Sequence, residues 1–332
     1  MGKLALQSSL LRDRSFDDHS WGERLSLCLI TLGPSFIKFG QTLATRSDII
    51  GTDTALALTQ LQDNLPPFSF SEVEAIVKND FSRSIEELFP HFKKTPMAAA
   101  SIAQVHCATL ISGQEVAVKI LRPNIDALFE RDIKLLFWLA RLLERFFPKT
   151  RRLRPTKVVE VFSETVKLEL DLRMEASAAS ELAENFSNDK DFKVPKIYWD
   201  YTSRRVLTIE KVVGCRPDDM QGLAKMRLSP RQILEKSARI FFNQVFRDGF
   251  FHGDMHPGNV FILENGKIAP VDFGIMGRLD ITTRVFLGKM LIGFLTKDYH
   301  SVARIHFKAG YISGDQSIEI FAQACRSIGE PI

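Results

Sequence analysis

Two aspartates and one asparagine in the segment FFHGDMHPGNVFILENGKIAPVDFG have the residue types and the spacing that suit phosphoryl transfer. Four residues separate Asp254 from Asn259, and Asp272 opens an Asp-Phe-Gly sequence further along the chain. Enzymes that transfer phosphate from ATP carry an aspartate, an asparagine and an Asp-Phe-Gly sequence in this order. Carboxylate and amide oxygens suit Mg²⁺ bound together with a phosphate. The pattern predicts that Asp254 orients or deprotonates an acceptor and that Asn259 and Asp272 bind the metal.

A β-hairpin is predicted between Asn259 and Asp272, because the turn Asn265-Gly266 lies between two apolar runs. The returning strand would bring Asp272 back beside Asn259. Taken one at a time, aspartate, asparagine and glycine are also common turn formers at the ends of loops. Their combined spacing favours the catalytic interpretation over this structural one.

His252 and His256 are four positions apart, a spacing that can hold a metal on a helix. Pro257 and Gly258 disfavour a helix at this point, and the sequence offers no third ligand. We expect both histidines to have a structural role in holding the loop.

A lysine on a predicted strand supplies positive charge for a phosphate. In EVAVKIL, Lys119 points away from the face that Val116 and Val118 occupy. VAVK is the form of the kinase strand lysine, which pairs with a glutamate on the next long helix. Helical spacing puts two of the acids there on one face, Asp171 and Glu175. The sequence leaves the partner of the lysine open among Glu164, Glu169, Asp171 and Glu175.

The alanine-rich segment PMAAASIAQVH stands where a nucleotide-binding kinase carries a glycine-rich loop. An alanine with positive φ costs about 1–2 kcal/mol, so Ala98, Ala99, Ala100 and Ala103 favour a tight or helical segment over an open loop. We expect this segment to set which nucleotide, or which phosphate position, is held. The alternative is that the alanines only pack beneath the N-terminal helices.

The elements that must position these residues follow in order along the chain. Residues 1–65 are predicted to be helical, and Ser71 with Glu74 is predicted to form the capping box of a further helix. A hairpin is predicted from Val105 to Leu110 and from Glu115 to Ile120. Helices are predicted from Asn124 to Phe147, from Thr156 to Phe186 and over residues 230–248, with short strands after Pro195.

This order predicts an α+β protein with a small mixed lobe and a mostly helical lobe. We place the boundaries at a helical extension (1–65), an N-lobe (66–213) and a C-lobe (214–332). The chain stops at RSIGEPI, soon after a helical pattern, so we expect a truncated C-terminal lobe. No signal region precedes the helices, and FLGKMLIGFL is too short to cross a bilayer and is interrupted by Lys289.

The composition is that of a globular protein: 45% of the 332 residues are hydrophobic, 25% are charged, and the net charge is +4. This balance predicts no nucleic-acid partner. A local basic cluster of Lys149, Arg151, Arg152 and Arg154 is either a solvated helix end or a docking surface for an anionic membrane or partner. The four cysteines are far apart, which argues against disulfides or a zinc site.

Four motifs together resemble those of the UbiB-type atypical kinase-like family, which is tied to ubiquinone biosynthesis and often labelled 2-polyprenylphenol 6-hydroxylase. They are KFGQ (Lys38 to Gln41), AAASIAQVH, ELD (Glu169 to Asp171), and HGDMHPGN followed by DFG. Ordinary kinases and aminoglycoside-type phosphotransferases lack the first two. The resemblance covers nearly the whole chain.

The resemblance implies a protein-kinase-like two-lobed fold with a helical N-terminal extension, and ATP (or ADP) with Mg²⁺ as cofactors. Lys38 and Gln41 would fold over the nucleotide and contact Glu169 and Asp171. The segment IEKVVG would be the hinge that reads adenine through its backbone. The residues expected to contact the nucleotide are Ala98, Ala99, Ala100, Ser101, Gln104, Lys119, Glu175, Glu210 and Val212, with Lys119 paired to Glu175.

The resemblance also implies membrane lipids, isoprenoid quinone precursors and other quinone-biosynthesis proteins as partners. We expect a peripheral position on the cytoplasmic face of a bacterial inner membrane, or its mitochondrial equivalent, although the hydrophobic C-terminal helices of family members are missing here. The expected activity is that of an ATPase. A nucleotide-binding pseudokinase scaffold and a small-molecule phosphotransferase are the alternatives. Without G-x-G-x-x-G or an iron triad, no intrinsic hydroxylase activity is expected.

Overall fold

The computed structural model describes residues 19–59, 61 and 65–331, which divide into two compact units. The first unit consists of the described residues up to Ala176 together with Lys196–Lys211. The second consists of Ser177–Pro195 and the residues from Val212 onward. The α+β class predicted from the sequence is confirmed, with N-terminal helices, an antiparallel sheet and a helical C-terminal part. The domain boundaries placed after residues 65 and 213 stay a prediction.

Helices fill the described part of the predicted N-terminal extension; residues 1–18, 60 and 62–64 of that prediction lie outside the described residues. Ser20 and Glu23 cap the first helix reciprocally, each side chain accepting a hydrogen bond from the other's backbone N–H. Gly33 ends it with φ +106°, which glycine adopts at little cost, and Pro34 opens the next. The helices are α1 (Trp21–Leu32), α2 (Pro34–Ala44), α3 (Ser47–Ile50) and α4 (Thr52–Thr59).

The next helix, α5 (Phe70–Phe81), begins two residues earlier than its predicted capping box requires. The prediction of Ser71 and Glu74 as that box is wrong. Ser69 is the capping residue, and its N–H donates to the Glu72 carboxylate at 2.9 Å. The Ser-x-x-Glu pattern occurs twice in SFSEVE, and only the first serine lies outside the helix. A short helix, α6 (Ile85–Leu88), follows.

An antiparallel sheet lies at the centre of the first unit. The predicted hairpin forms from β3 (Ala103–Thr109) and β4 (Glu115–Leu121), and Gly113 has φ +87° in the turn between them. The strand β5 (Val206–Glu210) pairs with the other edge of β4. The valines of β4 are buried, and Lys119 lies on the opposite face. Two short strands also pair with β3: β1 (His91–Phe92) and β2 (Ala98–Ala99).

Three helices and a 3₁₀ segment follow β4. The prediction of one unbroken helix over 156–186 is wrong, because the chain leaves the helix at Leu170 and Asp171. The Asp171 carboxylate accepts a hydrogen bond from the Arg173 N–H at 3.1 Å, as an N-cap residue does. The elements are α7 (Ile125–Phe146), the 3₁₀ segment Pro148–Leu153, α8 (Pro155–Glu169) and α9 (Leu172–Asn185).

The second unit contains two small hairpin-like pairs among helices. The predicted Asn-Gly hairpin is present, with Gly266 at φ +74°. Its strands are β7 (Val260–Ile262) and β8 (Ile268–Pro270), and β6 (Phe250–His252) pairs antiparallel with β9 (Met276–Arg278). The helices are α10 (Met220–Lys225), α11 (Pro230–Phe242), a π-helical turn (Asn243–Asp248), α12 (Ile281–Leu295), α13 (Tyr299–Lys308) and α14 (Ile318–Gly329).

The apolar segment FLGKMLIGFL lies within α12, which has 15 residues. A bilayer crossing needs about 20 apolar residues in a helix. Within the ranges that the structure describes, no helix has the length and apolar character that such a crossing requires.

His106 is a buried group whose titration should affect stability. Burial lowers the pKa of His106 below its ordinary value of 6.5, so the unfolded chain binds this proton more tightly than the folded chain. We expect the free energy of unfolding to fall as the pH drops below about 6.5, by up to about 1.4 kcal/mol per pH unit, until the folded-state pKa is reached. Chemical denaturation at several pH values between about 5 and 7.5 measures this slope.

His106→Gln is the matched variant, because glutamine keeps hydrogen-bonding capacity and does not titrate in this range. This variant should show a shallower loss of stability in acid than the parent chain. Equal slopes in the two proteins would contradict the assignment.

Candidate active site

Asp254 and Asn259 lie at the two ends of the loop between β6 and β7 and are hydrogen bonded to each other. The Asn259 side-chain amide donates to Asp254 Oδ2 at 2.8 Å and to the Asp254 carbonyl oxygen at 3.3 Å. A 3₁₀ turn ends the loop, and His256 caps it by accepting a hydrogen bond from the Gly258 N–H at 3.1 Å. Because the NH₂ group of Asn259 faces Asp254, its carbonyl oxygen is the atom that remains for a metal.

Asp272 is tied to the same loop through the backbone. The Val271 N–H, next to it in the chain, donates to the Asn259 carbonyl at 2.9 Å. The Asp272 carboxylate accepts a hydrogen bond from the Gly274 N–H at 2.9 Å, which fixes its orientation. Phe273 is buried beside it. Within Asp-Phe-Gly, the buried Phe273 ring therefore fixes the segment in place, and the Gly274 N–H orients the Asp272 carboxylate.

His252 links the two parts of this arrangement. The Asp254 N–H donates to His252 Nδ1 at 3.1 Å, and His252 Nε2 is hydrogen bonded to the Asp272 carbonyl. Since Nδ1 accepts, Nε2 carries the proton of a neutral ring and donates it. The His252 N–H is itself held by the buried Gln244 side chain at 2.8 Å. His252 therefore sets the distance between the backbones of the two aspartates.

These contacts agree with the structural role expected for the histidines. Among the described residues, no three or more histidine, cysteine, aspartate and glutamate side chains are grouped to hold a metal. A magnesium site here would depend instead on Asp272, the Asn259 amide oxygen and phosphate oxygens, which is the hard-oxygen set that Mg²⁺ prefers.

In the first unit, Lys119 forms an ion pair with Glu175. The Lys119 ammonium lies 2.9 Å from both Glu175 oxygens, and 18% of the lysine side chain and 7% of the glutamate side chain are exposed. Glu175 lies in the first turn of α9, which begins where the Asp171 cap starts the helix. The break between α8 and α9 therefore decides which acidic residue meets the strand lysine.

A second ion pair connects the KFGQ helix to the end of α8. Lys38 Nζ lies 2.9 Å from Glu169 Oε2, with 16% and 7% of the two side chains exposed. Gln41 does not contact Asp171 but donates to the Leu61 carbonyl at 3.3 Å. Asp171 forms a bidentate pair with Arg173, whose hydrogen bond lowers the pKa of the Asp171 carboxyl.

Gly40 explains why this motif contains a glycine. A Cβ at this position would lie 2.5 Å from Leu61 Cδ1 and 2.7 Å from Leu29 Cδ1. Both distances are shorter than a carbon–carbon contact allows. The helix α2 can therefore pack against α1 at this distance only without a side chain at position 40.

The alanine-rich segment is a tight hairpin. Ala98 and Ala99 pair with β3, and the Ala100 N–H donates to the Ala103 carbonyl at 2.7 Å. None of residues 98–103 has a positive φ, which agrees with the predicted preference of alanine. Arg122 stabilises the hairpin. Its guanidinium donates to the Ala100 carbonyl at 2.8 and 3.1 Å and to the Pro66 carbonyl at 2.9 Å.

Two predicted nucleotide contacts in this hairpin have buried side chains. The Gln104 amide is bonded to the Phe68 backbone, at 3.0 Å from its N–H, and to the His106 ring at 2.9 Å. Both ends of the Gln104 amide are therefore bonded to the protein, and the nucleotide contact expected of Gln104 stays a prediction. Ser101 is buried as well.

The predicted hinge lies at the end of β5. Glu210 is the last residue of that strand, and its N–H donates to the Lys196 carbonyl at 2.8 Å. Val212 opens the following segment of the second unit and is half-buried. Gly214 approaches Ile262 so closely that a Cβ would lie 2.3 Å from its carbonyl oxygen. Adenine recognition by this segment stays a prediction.

A family model described as the ABC1 atypical kinase-like domain matches residues 60–306. The chain belongs to this family. Proteins named "Probable protein kinase UbiB" from Marinobacter nauticus and Pseudomonas aeruginosa are each 42% identical to it, over 317 and 315 residues and 94% of the chain. The chain spans 58% and 59% of the length of these relatives. The resemblance to UbiB-type proteins is confirmed.

A solved structure supports the kinase-like fold. It is described as the complex of Rv3197 with erythromycin from Mycobacterium tuberculosis, and it matches with a TM-score of 0.66 at 25% identity. The match covers 99% of this chain and 82% of that one.

Sequence reasoning missed one residue, Arg122, which directly follows β4 and holds the alanine hairpin of this ABC1 domain. It named Asp171 for other contacts and missed that this residue caps the start of α9. An arginine just after a buried strand is a weak signal, because most such residues are solvated. The capping role of Asp171 could have been found, since aspartate is a preferred N-cap residue.

The Lys38–Glu169 pair should be energetically coupled, because both side chains are mostly removed from water. We expect Lys38→Met and Glu169→Gln each to lower the free energy of unfolding by about 3 kcal/mol, since each leaves a poorly hydrated charge. The double variant should lose less than the sum, with a coupling energy of about 1–3 kcal/mol. Urea denaturation of the four proteins measures it.

The exposed pair Arg231–Glu235 on α11 is the control and should show a coupling energy of only about 0.5 kcal/mol. Additive losses at Lys38 and Glu169 would show that the pair contributes no interaction of its own.

Proposed function

We propose that this chain is a Mg-ATP-dependent atypical kinase-like enzyme that hydrolyses ATP in support of ubiquinone biosynthesis at a membrane. The observation that carries the proposal is the arrangement of Asp254, Asn259 and Asp272 around His252. The Asp254 carboxylate orients the Asn259 amide, and His252 is hydrogen bonded to the backbone of both aspartates. Residues that served only as turn formers would not need this network.

Each residue has a distinct part in the proposed reaction. Asn259 and Asp272 would hold Mg²⁺, which neutralises charge on the phosphates of ATP. Asp254 orients a water molecule, and its carboxylate takes the proton as the water oxygen bonds to the γ-phosphorus. The bond from the γ-phosphorus to the bridging oxygen breaks, and ADP leaves. Lys119, oriented by Glu175, would contact the phosphates of the bound nucleotide.

The segment after Asp-Phe-Gly supports water over a protein as acceptor. One residue separates Gly274 from β9, which pairs with β6, and α12 begins at Ile281. A Cβ at Gly277 would lie 2.2 Å from the Phe251 ring, so this return is closely packed. No long segment lies between Asp272 and α12 on which a peptide could dock, in contrast to the activation loop of protein kinases.

The proposed partners follow from the chain's relatives and from its charge. The name UbiB among the relatives supports isoprenoid quinone precursors as partners, together with membrane lipids and other quinone-biosynthesis proteins. The position we propose is peripheral, on the cytoplasmic face of the bacterial inner membrane or its mitochondrial equivalent. We propose no nucleic-acid partner, because the net charge is only +4.

A nucleotide-binding scaffold is the second candidate, and the alanine hairpin favours it. The hairpin is closed by its own backbone hydrogen bonds and held by Arg122, so it offers less freedom than a glycine-rich loop. A scaffold would bind nucleotide without turning it over.

The fate of the γ-phosphate of labelled ATP separates these functions. Asp272→Asn should abolish Mg-nucleotide binding, because it removes the charged ligand. Asp254→Asn should leave binding nearly unchanged and lower turnover at least about 100-fold, because asparagine keeps an oxygen that can accept from Asn259 but cannot take up the proton. Asp315→Asn, the same change at an exposed position outside the site, is the control. Mg-ATP affinity and label release, with and without vesicles, are measured for all four proteins.

Free labelled phosphate supports the ATPase, and label on a small molecule or protein supports a phosphotransferase. Binding without turnover supports the scaffold. Mg-ATP affinity in Asp272→Asn equal to that of the parent chain would contradict the metal assignment.

The alanine hairpin should affect nucleotide preference. Ala100→Gly removes the φ restriction at the residue whose carbonyl Arg122 holds, so we expect the ratio of ATP to ADP affinity to change, by up to about tenfold. Calorimetric titration with both nucleotides measures the ratio. Arg122→Lys, which keeps the charge and removes the two-point hydrogen bonding, should shift it in the same direction. An unchanged ratio in both variants would leave the alanines a packing role.

A further inference from the structure

The helix α7 carries an apolar face that the described part of the chain does not cover. Trp138 and Phe146 are 59% and 62% exposed, and Phe147, just past the helix, is 58% exposed. At 100° per residue, Trp138 and Phe146 share one side of the helix with three exposed leucines, and Phe147 follows directly after the helix end. We call this set the α7 face: Leu135, Trp138, Leu139, Leu142, Phe146 and Phe147.

The α7 face leads directly into the basic cluster. The 3₁₀ segment is fastened to the end of α7, because Arg151 Nε donates to the Glu144 carbonyl at 2.8 Å. Arg152 and Arg154 form no ion pair with any described residue. Arg145 lies against the Phe146 ring at 5.7 Å, at the border of the apolar side chains. Apolar surface and unbalanced positive charge therefore meet at one end of this helix.

A cavity of about 340 Å³ opens beside the cluster. Arg152, Arg154 and Lys157 line one side of it, and Thr42 and Arg46 line the other. Arg46 is balanced by Asp48 at 2.8 Å and Lys157 by Glu160 at 2.8 Å. The two remaining arginines give the cavity a net positive charge, which suits a phosphate group.

We propose that the α7 face and its basic cluster dock the first unit onto an anionic lipid bilayer. The leucines and aromatic rings would enter the interfacial region, and Arg152 and Arg154 would contact lipid phosphates. One-sided apolar surface bordered by arginine is the composition of helices that lie in a membrane interface. A second copy of this chain fits less well, because the α7 face of that copy carries no acidic residue to pair with Arg152 and Arg154.

The inference builds on the lipid partner proposed above. The test of membrane docking requires no nucleotide. Docking can therefore be disproved while the proposed phosphoryl transfer stands, and phosphoryl transfer can be disproved while docking stands.

Co-sedimentation of the full chain with lipid vesicles tests the proposal. Vesicles of phosphatidylcholine mixed with phosphatidylglycerol should bind the chain, and vesicles of phosphatidylcholine alone should bind it much less. Arg152→Gln combined with Arg154→Asn should lower partitioning into the mixed vesicles about 30-fold, since two basic residues are lost at the surface. Asparagine is chosen because residue 154 has φ +49°.

Trp138→Ser combined with Phe146→Ser should lower partitioning at least about tenfold at low and at high salt. The variant with Arg152→Gln and Arg154→Asn should lower vesicle partitioning only at low salt, where salt does not screen the attraction between arginine and lipid phosphate.

The second unit offers matched controls. Leu234→Ser and Ile320→Ser remove apolar side chains that are 70% and 75% exposed, and Arg231→Gln removes an exposed charge. These variants should bind vesicles like the parent chain.

Three results would overturn the proposal. They are absence of vesicle binding by the parent chain, equal losses in the control variants, and a dimer that Trp138→Ser dissociates without any change in vesicle binding. The last result would assign the α7 face to a second copy.

Discussion

The helix α8 ends at Glu169 and α9 begins after Asp171, whose carboxylate caps α9, and the two mostly buried ion pairs Lys38–Glu169 and Lys119–Glu175 depend on that break. In one continuous helix, Glu169 and Glu175 would point about 120° apart around the axis. Their two lysine partners would then have to match this fixed angle. The break releases this restriction. Glu169 can then meet Lys38 of α2, while Glu175 meets Lys119 of the sheet. One local hydrogen bond, from the Arg173 N–H, stabilises the start of the second helix.

In the second unit, the His252 side chain fixes the positions of two acidic residues relative to each other. Asp254 and Asp272 lie far apart in sequence, and hairpin pairing alone fixes only the strands between them. His252 adds the missing constraint by bonding to the backbone at both residues. Its ring is buried, so the two hydrogen bonds are shielded from competing water. A neutral ring with one donor and one acceptor nitrogen is the group that such a link needs.

The sequence was sufficient wherever short-range rules decide the structure. The β3–β4 hairpin, the Asn-Gly hairpin and the tight alanine segment all follow from turn chemistry and from alternation of apolar residues. Where two matches to one rule overlap, as in SFSEVE, the rule cannot choose between them, because packing of the helix decides where it begins. The same limit applies to Lys119: several acids were compatible with helical spacing, and within the sequence only the family resemblance indicated Glu175. The break at Asp171 gives the physical reason for that choice.

Side-chain roles were harder to predict than backbone form. Gln104 belongs to a motif that suggests ligand contact, and its amide joins the Phe68 backbone to the buried His106 ring. A polar residue on a buried strand face needs hydrogen-bond partners within the protein, because each buried donor or acceptor without a partner costs about 1–3 kcal/mol. Burial could not be read from the motif itself, since alternation along β3 shows only which residues share a face.

The helix α2 contacts both the packed interior of the first unit and the basic cavity. Its packing limits how a change at the cavity can reach the ion pair of Lys38. Lys38 forms a half-buried ion pair, and Gly40 contacts its neighbours with no room for a side chain. Thr42 lines the basic cavity one residue beyond the KFGQ motif. A shift of α2 toward or away from that cavity would stretch the ion pair and open space around Gly40, both of which are unfavourable in a densely packed interior. A charge bound in the cavity would therefore move α2 only together with its neighbours, and would not slide this helix alone.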